Sequence, residues 1–536
     1  MNTFKQFKIA FILTAFFGCT DLEPEVFDRI DGDVVVLDAA DQLIEDTTLV
    51  KNYLSTSYNQ LYQYLDEREI FALTEVTTDE MVVPTRGTDW SDNGLWIQLH
   101  EHSWNPDHEF IQSAWDGLSR GVARSFEVKQ LFTDFIRLKP ELTDFLVPYN
   151  AELDVLLAYY SWQYIDLFGV LPTLNDQLSP VVLSRSAGTQ WAIDLLERAI
   201  VDLYSKEELP EYGRVVKESA HALLAKIYLN RFIYEGLNAP TSDDMSKVIL
   251  NADAVINSGS YQLAGDYFSM FEAANETSPE SLLVIQNQDN LWNYAHTTTR
   301  NLMTLHYNQQ AGVVNYAPWN GMCTTEEFFN TWDDDQNPSN GVTSIDTRFN
   351  NGRYNELFGF DLGMLFGQQY DPSGTMLNDR NGNPLSFTAI IGNIRQASEI
   401  EGVRVIKWAP DDNSPSPFQA DNDVALLRFA DVVLVKAEAL WRMGNTEEAL
   451  NTLNELRIQR GANPLGSLSA EGNEILRERG LELYWEGHRR TDLIRFDRFT
   501  KGTWFAKQVS PDHYSIFPIP TKALAANSSL TQNTGY

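Results

Sequence analysis

Four groups of residues have types and spacings that chemistry could use. G-L-S-R-G at 117–121 has the pattern of a nucleophile elbow, in which a strained strand-to-helix turn exposes a serine. Here Trp115, Leu118, Val122 and Phe126 recur at helical spacing and no strand precedes them, so the sequence predicts an unreactive helical Ser119. His100, Glu101, His102, Asp107, His108 and Glu109 fall close together, but their spacing matches no helix-face ligand set such as H-E-x-x-H. A polar loop is expected there, and no metal is assigned. Asp333-x-Asp335-x-Asn337 opens like a calcium loop. Pro338 then stands where the turn glycine belongs and Ser344 where the bidentate acid belongs, so the segment supports at most a weak, unassigned Ca2+ site. Cys323 has no histidine near it in sequence and is read as an inert thiol. P-loop, G-x-G-x-x-G and C-x-x-C patterns are absent. Paired carboxylates could cleave a glycoside, but nothing singles out one pair among 75 acids. The sequence therefore assigns no catalytic residue, no resident metal and no cofactor.

The aromatic residues are the better lead. Trp90, Trp96 and Trp104 lie in a polar stretch between helical segments; Trp292, Tyr294, Tyr307, Tyr316 and Trp319 lie in an irregular central region beside Asn293, Asn315 and Asn320. A sugar ring offers an apolar C–H face and an edge of hydroxyls, which match an aromatic face and amide or carboxylate groups respectively. Any one of these rings could instead pin a loop to the core. As a set in two loop regions they are read as a platform.

The elements that must position them follow from periodicity. The 536 residues are 43% hydrophobic, enough for a large core. Helical spacing dominates 40–260: Leu153, Leu156, Leu157, Tyr160, Tyr164, Leu167 and Phe168 share one face, and Gly169 stops that helix. Similar patterns occupy 48–65, 109–137, 189–204, 214–234 and 244–257. From 260 to 420 Gly, Asn, Asp, Pro and Ser become frequent, predicting a long loop-rich insert with short strands such as Ser281–Ile285. Helices return at 424–443 and 447–460, separated by Gly444 and followed by Gly461 and Pro464. A helix, a glycine turn and a helix with Ala449 and Leu450 packing back is similar to a tetratricopeptide hairpin. The expected fold is mainly α, a scaffold of such hairpins carrying an irregular insert and a few short strands.

Charge and the N-terminus bound the partners. Forty Lys and Arg against 75 Asp and Glu give a formal net charge of −35, which opposes binding to nucleic acid and favours neutral over sulfated or uronic glycans. Arg86 and Arg300 could still form a local basic pocket. Residues 1–18 combine Lys5 and Lys8 with an apolar run from Ile9 to Phe17, too short to span a bilayer but suited to a signal peptide. Gly18 and Cys19 follow, resembling a lipoprotein signal in which Cys19 carries the lipid. Asp21, Glu23 and Glu25 resemble an export tag for the outer face of a Gram-negative outer membrane. The expectation is a lipid-anchored 19–536 unit with no transmembrane helix.

The last hundred residues resemble a known family. LLRFADVVLVKAEAL (426–440), ERGLELYWEGHRRTDLIRF (478–496) and FPIPTKALAANSSLTQNTGY (517–536) are similar to the signature blocks of the SusD/RagB nutrient-binding outer-membrane lipoproteins. AYYSWQYIDLFGVLP (158–172) and SAHALLAKIYLNR (219–231) extend the likeness. The resemblance implies a non-enzymatic protein that captures an oligosaccharide on aromatic loops and hands it to a SusC-like TonB-dependent transporter. It places the ligand surface at about 79–108 and 286–322, hence at Trp90, Trp96, Trp104, Trp292, Tyr294, Tyr316 and Trp319. Read from the residues themselves, Glu478, Glu482 and Glu486 stack at four-residue spacing opposite arginines, which a partly buried ion-pair network, or helix capping by Asp492, explains better than catalysis does. Two other readings stay open: a secreted glycoside hydrolase, and a scaffold that binds peptides in its hairpin grooves.

Overall fold

The computed structural model describes residues 32–175, 179–287, 296–310, 316–332, 346–350, 358–411 and 420–536. Helices α1 (Gly32–Glu45), α2 (Val50–Tyr58), α3 (Leu95–His100), α4 (Glu109–Leu138), α5 (Thr143–Phe168), α6 (Arg185–Asp202), α7 (Lys217–Tyr234) and α8 (Ser242–Ile256) occupy the first part. α4 to α8 stack in chain order, each against the next. α5 is buried almost all round from Ala151 to Phe168, which makes it the axis of the scaffold, and Gly169 ends it at φ 68° as predicted. Close stacking needs small residues: a Cβ on Gly121 of α4 would stand 2.6 Å from the Tyr160 ring of α5. Ser119 lies inside α4, its hydroxyl bonded to the Trp115 carbonyl and to the Tyr164 hydroxyl, so the elbow geometry is absent.

After α8 the chain leaves the stack. It passes through α9 (His296–Thr304) and α10 (Glu326–Phe329) and returns as α11 (Phe429–Arg442), which packs on α8 as well as on α12 (Thr446–Gln459). The C-terminal part adds α13 (Asn473–Leu483), α14 (Arg489–Arg495) and α15 (Thr521–Ala526). The insert is rooted on an antiparallel pair, β3 (Ser281–Ile285) with β8 (Val424–Arg428). Residues 424–428, expected to open a helix, are therefore a strand, because their apolar run finds a partner far back in the chain. Glu280 then starts α11: its main-chain carbonyl accepts from the Phe429 amide at 2.8 Å and its carboxylate from the Ala430 amide at 3.2 Å.

The insert itself holds short antiparallel pairs, β4 (Gly363–Leu365) with β7 (Arg404–Ile406) and β5 (Gly367–Gln368) with β6 (Ser386–Phe387). A further hairpin, β1 (Val170–Leu174) with β2 (Pro180–Ser184), joins α5 to α6 where only a helix stop was expected. The mainly helical expectation holds.

The acidic ladder of the C-terminal block is wholly interior. Glu478 and Glu482 are buried with Arg348, Arg428, Arg457 and Arg460, and Arg428 also bonds Glu280 and Glu486. Burial would raise the Glu482 carboxyl, yet Arg460, Arg428 and Arg348 outweigh it and hold it well below the usual range. Glu486 lies beyond the end of α13 and meets Lys407 at 2.5 Å, so the four-residue stacking stops at Glu482. Asp492 does not cap a helix; it pairs with Arg479 and Arg495 at 2.8 and 2.7 Å.

Candidate functional site

The two loop regions singled out in the sequence lie side by side. Val82 and Cys323 exchange main-chain hydrogen bonds of 2.8 and 3.0 Å, joining the segment before α3 to the segment after α9. Beyond that bridge the chain turns at Arg86–Asp89, where the two residues bond each other at 3.0 Å in both directions around Gly87 (φ 64°). Trp90 follows at φ 62°.

Trp90 and Trp319 are coupled. The Trp90 Nε1 donates to the Trp319 carbonyl at 2.7 Å, and the Trp319 amide donates to the Leu302 carbonyl at 2.6 Å. Asn320, at φ 54°, anchors the next position: its side chain donates to the Glu399 carbonyl and accepts from Arg404. Gly321 completes the fit, because a Cβ there would collide with the Trp90 indole. The backbone of Trp319 is thus fixed on both sides while its ring stays 38% exposed, and Tyr316 nearby in sequence is 45% exposed.

Polar groups adjoin these rings. The Tyr307 hydroxyl donates to Asp89 Oδ2 at 2.5 Å, and the Arg380 guanidinium lies 3.7 Å over the Tyr307 ring. Glu399 holds Arg380 in place, accepting from its Nε at 2.5 Å and from His306 at 3.0 Å. Burial would raise the Glu399 carboxyl, but the Arg380 amide, His306 and the Arg380 guanidinium together keep it below its ordinary value and ionised. Burial pushes the His306 imidazole down despite Glu399, so at neutral pH it is a neutral donor rather than a charge. Exposed rings with fixed backbones beside carboxylate and amide groups can hold a hydroxylated, flat-faced molecule; nothing in this arrangement activates a nucleophile.

The remaining predicted positions divide. Trp96 and Trp104 cannot be stacking faces. Trp96 is 1% exposed, bonded to Asp92 at 2.9 Å and edge-on to Phe110; Trp104 is 2% exposed, bonded to the Tyr536 hydroxyl at 2.9 Å and packed on Phe517. Trp96 is covered by Phe110 at the start of α4, and Trp104 by the C-terminal tail at Phe517 and Tyr536. Cys19, Trp292, Tyr294, Asp333, Asp335 and Asn337 lie outside the described residues.

Arg86 and Arg300 do not make a basic pocket. Arg86 is buried against the Ser398 and Glu401 carbonyls, and Arg300 is sandwiched over Phe71 and Trp408. The histidines expected in a polar loop are interior: His100 meets the Val76, Met81 and Phe505 carbonyls, His102 that of Thr77, and His108 that of Leu95. Burial drives His102 down to about 3, so it stays neutral. Cys323 is fully buried, as an inert thiol should be.

Asp89 and Arg380 were missed in the sequence. For Arg380 the signal was a repeated turn, Asp371-Pro-Ser-Gly-Thr and Asp379-Arg-Asn-Gly-Asn, in which each Asp side chain accepts the amides two and four residues on. That spacing marks an ordered hairpin that projects Arg380.

The fold is a helical-repeat scaffold that carries an exposed aromatic surface on its loops. Residues 279–536 match the family model described as the SusD family. The chain is 25% identical over 503 residues to the starch-binding protein SusD of Bacteroides thetaiotaomicron, covering 88% of this chain and 85% of that one. Solved structures share the fold. One is a SusD superfamily protein from Parabacteroides distasonis, at TM-score 0.69 and 18% identity, covering 91% of this chain and 99% of that one. Another is surface glycan-binding protein A from Bacteroides thetaiotaomicron in complex with laminarihexaose, at TM-score 0.67 and 18% identity, covering 90% and 98%. By the family match and this relative, the chain is similar to SusD-family proteins over most of its length.

Proposed function

We propose that this protein captures neutral oligosaccharides at the cell surface without cleaving them and delivers them to a SusC-like TonB-dependent outer-membrane transporter. The observation that carries the reading is the exposed Trp319 ring on a backbone clamped by Trp90, a preorganised stacking face beside hydrogen-bonding groups. The related starch-binding protein and the neighbour bound to laminarihexaose support glycan as the ligand class. The overall charge of −35 and the burial of Arg86 and Arg300 favour neutral chains. Capture needs contact alone and so no cofactor.

A lipid on Cys19 would tether the protein, and among the described residues no helix is long and apolar enough to cross a membrane. Calorimetric titration with neutral oligosaccharides tests the reading. Binding without new reducing ends supports it; no heat with any saccharide, or release of shorter chains, overturns it.

A peptide-binding scaffold is the second reading, favoured by one observation. An apolar groove of about 580 Å³ lies between α4 and the α5–α6 hairpin, lined by Val122, Phe126, Tyr164, Pro172 and Leu174. Under that reading Trp319→Ala leaves binding intact and Phe126→Asp abolishes it.

A further inference from the structure

Beside the Trp319 surface is a second opening of different character. A cleft of about 420 Å³, within the usual range of about 300–1,000 Å³ for small-molecule pockets, lies between the Arg86–Gly87 turn, the Asp379–Asn383 turn and the irregular segment Ala397–Ile400. It shares a wall with the aromatic surface: Arg380 and Glu399 line the cleft, Arg380 covers the Tyr307 ring, and the carbonyl of Glu399 holds Asn320 next to Trp319.

Most of the lining residues are polar or charged. Asn381, Asn383 and Ser398 are exposed there, and Asp379 stands between them. Arg86, 2% exposed, also lines the cleft. Its two terminal nitrogens bond main-chain carbonyls, but its Nε has no hydrogen-bond partner. That nitrogen is itself fully buried, so Arg86 serves the cleft as a fixed part of its wall. Charge narrows the choice of ligand. Asp379, Glu399 and the adjacent Asp89 outnumber the single exposed cation, Arg380, which Glu399 already neutralises. A carboxylate or sulfate would be repelled, whereas hydroxyls find both donors and acceptors.

Resting on the glycan-capture reading above, we infer that this cleft is a hydrogen-bonding subsite for the terminal sugar unit of a neutral oligosaccharide whose chain lies on the Trp319 surface. Buried Arg86 and Ala397 line its inner side, and on this reading the unit that enters ends the chain there. The unit is either the end of the main chain or a one-residue side branch; both present the same ring of hydroxyls.

Asn381→Tyr would fill the cleft from its rim. Asn381 is an exposed turn residue whose contribution to the turn is its main-chain amide, donated to Asp379, which tyrosine retains. The probes are neutral hexasaccharides of glucose, mannose and xylose, each linear and each carrying one single-residue branch, titrated calorimetrically into the full chain with thermal melting of every variant alongside. An affinity loss of about tenfold in Asn381→Tyr for linear and branched probes alike assigns the cleft to the chain end. Loss for the branched probes only assigns it to a branch. Asn381→Ala, which removes the amide without filling the space, should give a smaller loss in the same pattern. Unchanged affinity for every probe in a folded Asn381→Tyr variant overturns the subsite and leaves glycan capture standing. Absence of binding by the unaltered protein overturns both.

Discussion

The indole N–H of Trp90 donates to the main-chain carbonyl of Trp319 across 2.7 Å, so one tryptophan sets the height at which the other stands above the surface. Trp90→Phe keeps a ring against Gly321 but leaves that carbonyl unpaired. We expect a stability loss of about 1 kcal/mol and a several-fold weaker glycan affinity, read by urea denaturation and calorimetry. Trp319→Ala should behave differently. It removes a half-exposed ring, so melting should stay unchanged while affinity falls about tenfold.

Trp96 and Trp104 should respond as core residues. Each alanine variant is expected to lose about 3–5 kcal/mol of stability by denaturant titration, because a large buried ring leaves a cavity. A Trp104→Ala protein of full stability with weakened glycan binding would place that ring back at the ligand surface.

Glu482 bonds Arg348, Arg428 and Arg460 at once in the buried interior. Glu482→Ala should cost about 3–5 kcal/mol, since three guanidinium groups lose one shared counter-charge. Glu482→Gln keeps the acceptor oxygen and should cost less. Equal losses in the two variants would mean that shape rather than charge matters there.

Acid should loosen the C-terminal helices in a defined window. Burial would raise the Glu438 carboxyl, but Arg495 and Arg442 hold it at about 2, against an ordinary 4.5. A lowered folded pKa means that its stabilisation is complete above about 4.5 and disappears as pH falls toward about 2. Glu438→Gln should therefore flatten the melting temperature between those values and lower it at neutral pH. An unaltered pH profile would show that Glu438 contributes nothing to acid lability.

Buried carboxyls near the α13–α14 turn should have the opposite signature. Glu75 accepts from the Gly487 amide and Glu80 from that of Trp485, and burial pushes both carboxyls up. A raised folded pKa makes stability decline as pH climbs above the ordinary carboxylate value, because the unfolded chain ionises first. Glu75→Gln retains an acceptor without that penalty, so its melting temperature should exceed the parent's at pH 8 and match it near pH 4.

Periodicity exposed the scaffold because it is a local property. α5 and its stop at Gly169 are written in consecutive residues, and the Glu478–Glu482 ladder could be placed against arginines by spacing alone. Pairings over long distances were not legible. Val424–Arg428 has the composition of a helix start, and only Ser281–Ile285 makes it a strand. The site divides in the same way. Trp90 and Trp319 sit in polar, turn-rich sequence and do reach the surface region. Trp104 sits in similar sequence and is buried because Tyr536, at the far end of the chain, bonds to it. For Trp96 there was a local clue, since Leu95, Trp96, Leu99 and His100 have helical spacing.

The β3–β8 clasp has a consequence for how such a receptor can diversify. It brings the two ends of the insert together at the edge of the helical stack, where α11 resumes packing on α8 as though nothing had intervened. Whatever is threaded between Ile285 and Val424 therefore behaves as an exchangeable cassette. New recognition loops can be grafted there while the supporting architecture stays the same, provided that the anchors of the insert on the rest of the fold are kept: Arg348 on Glu478 and Glu482, Lys407 on Glu486, Cys323 on Val82 and Trp319 on Trp90.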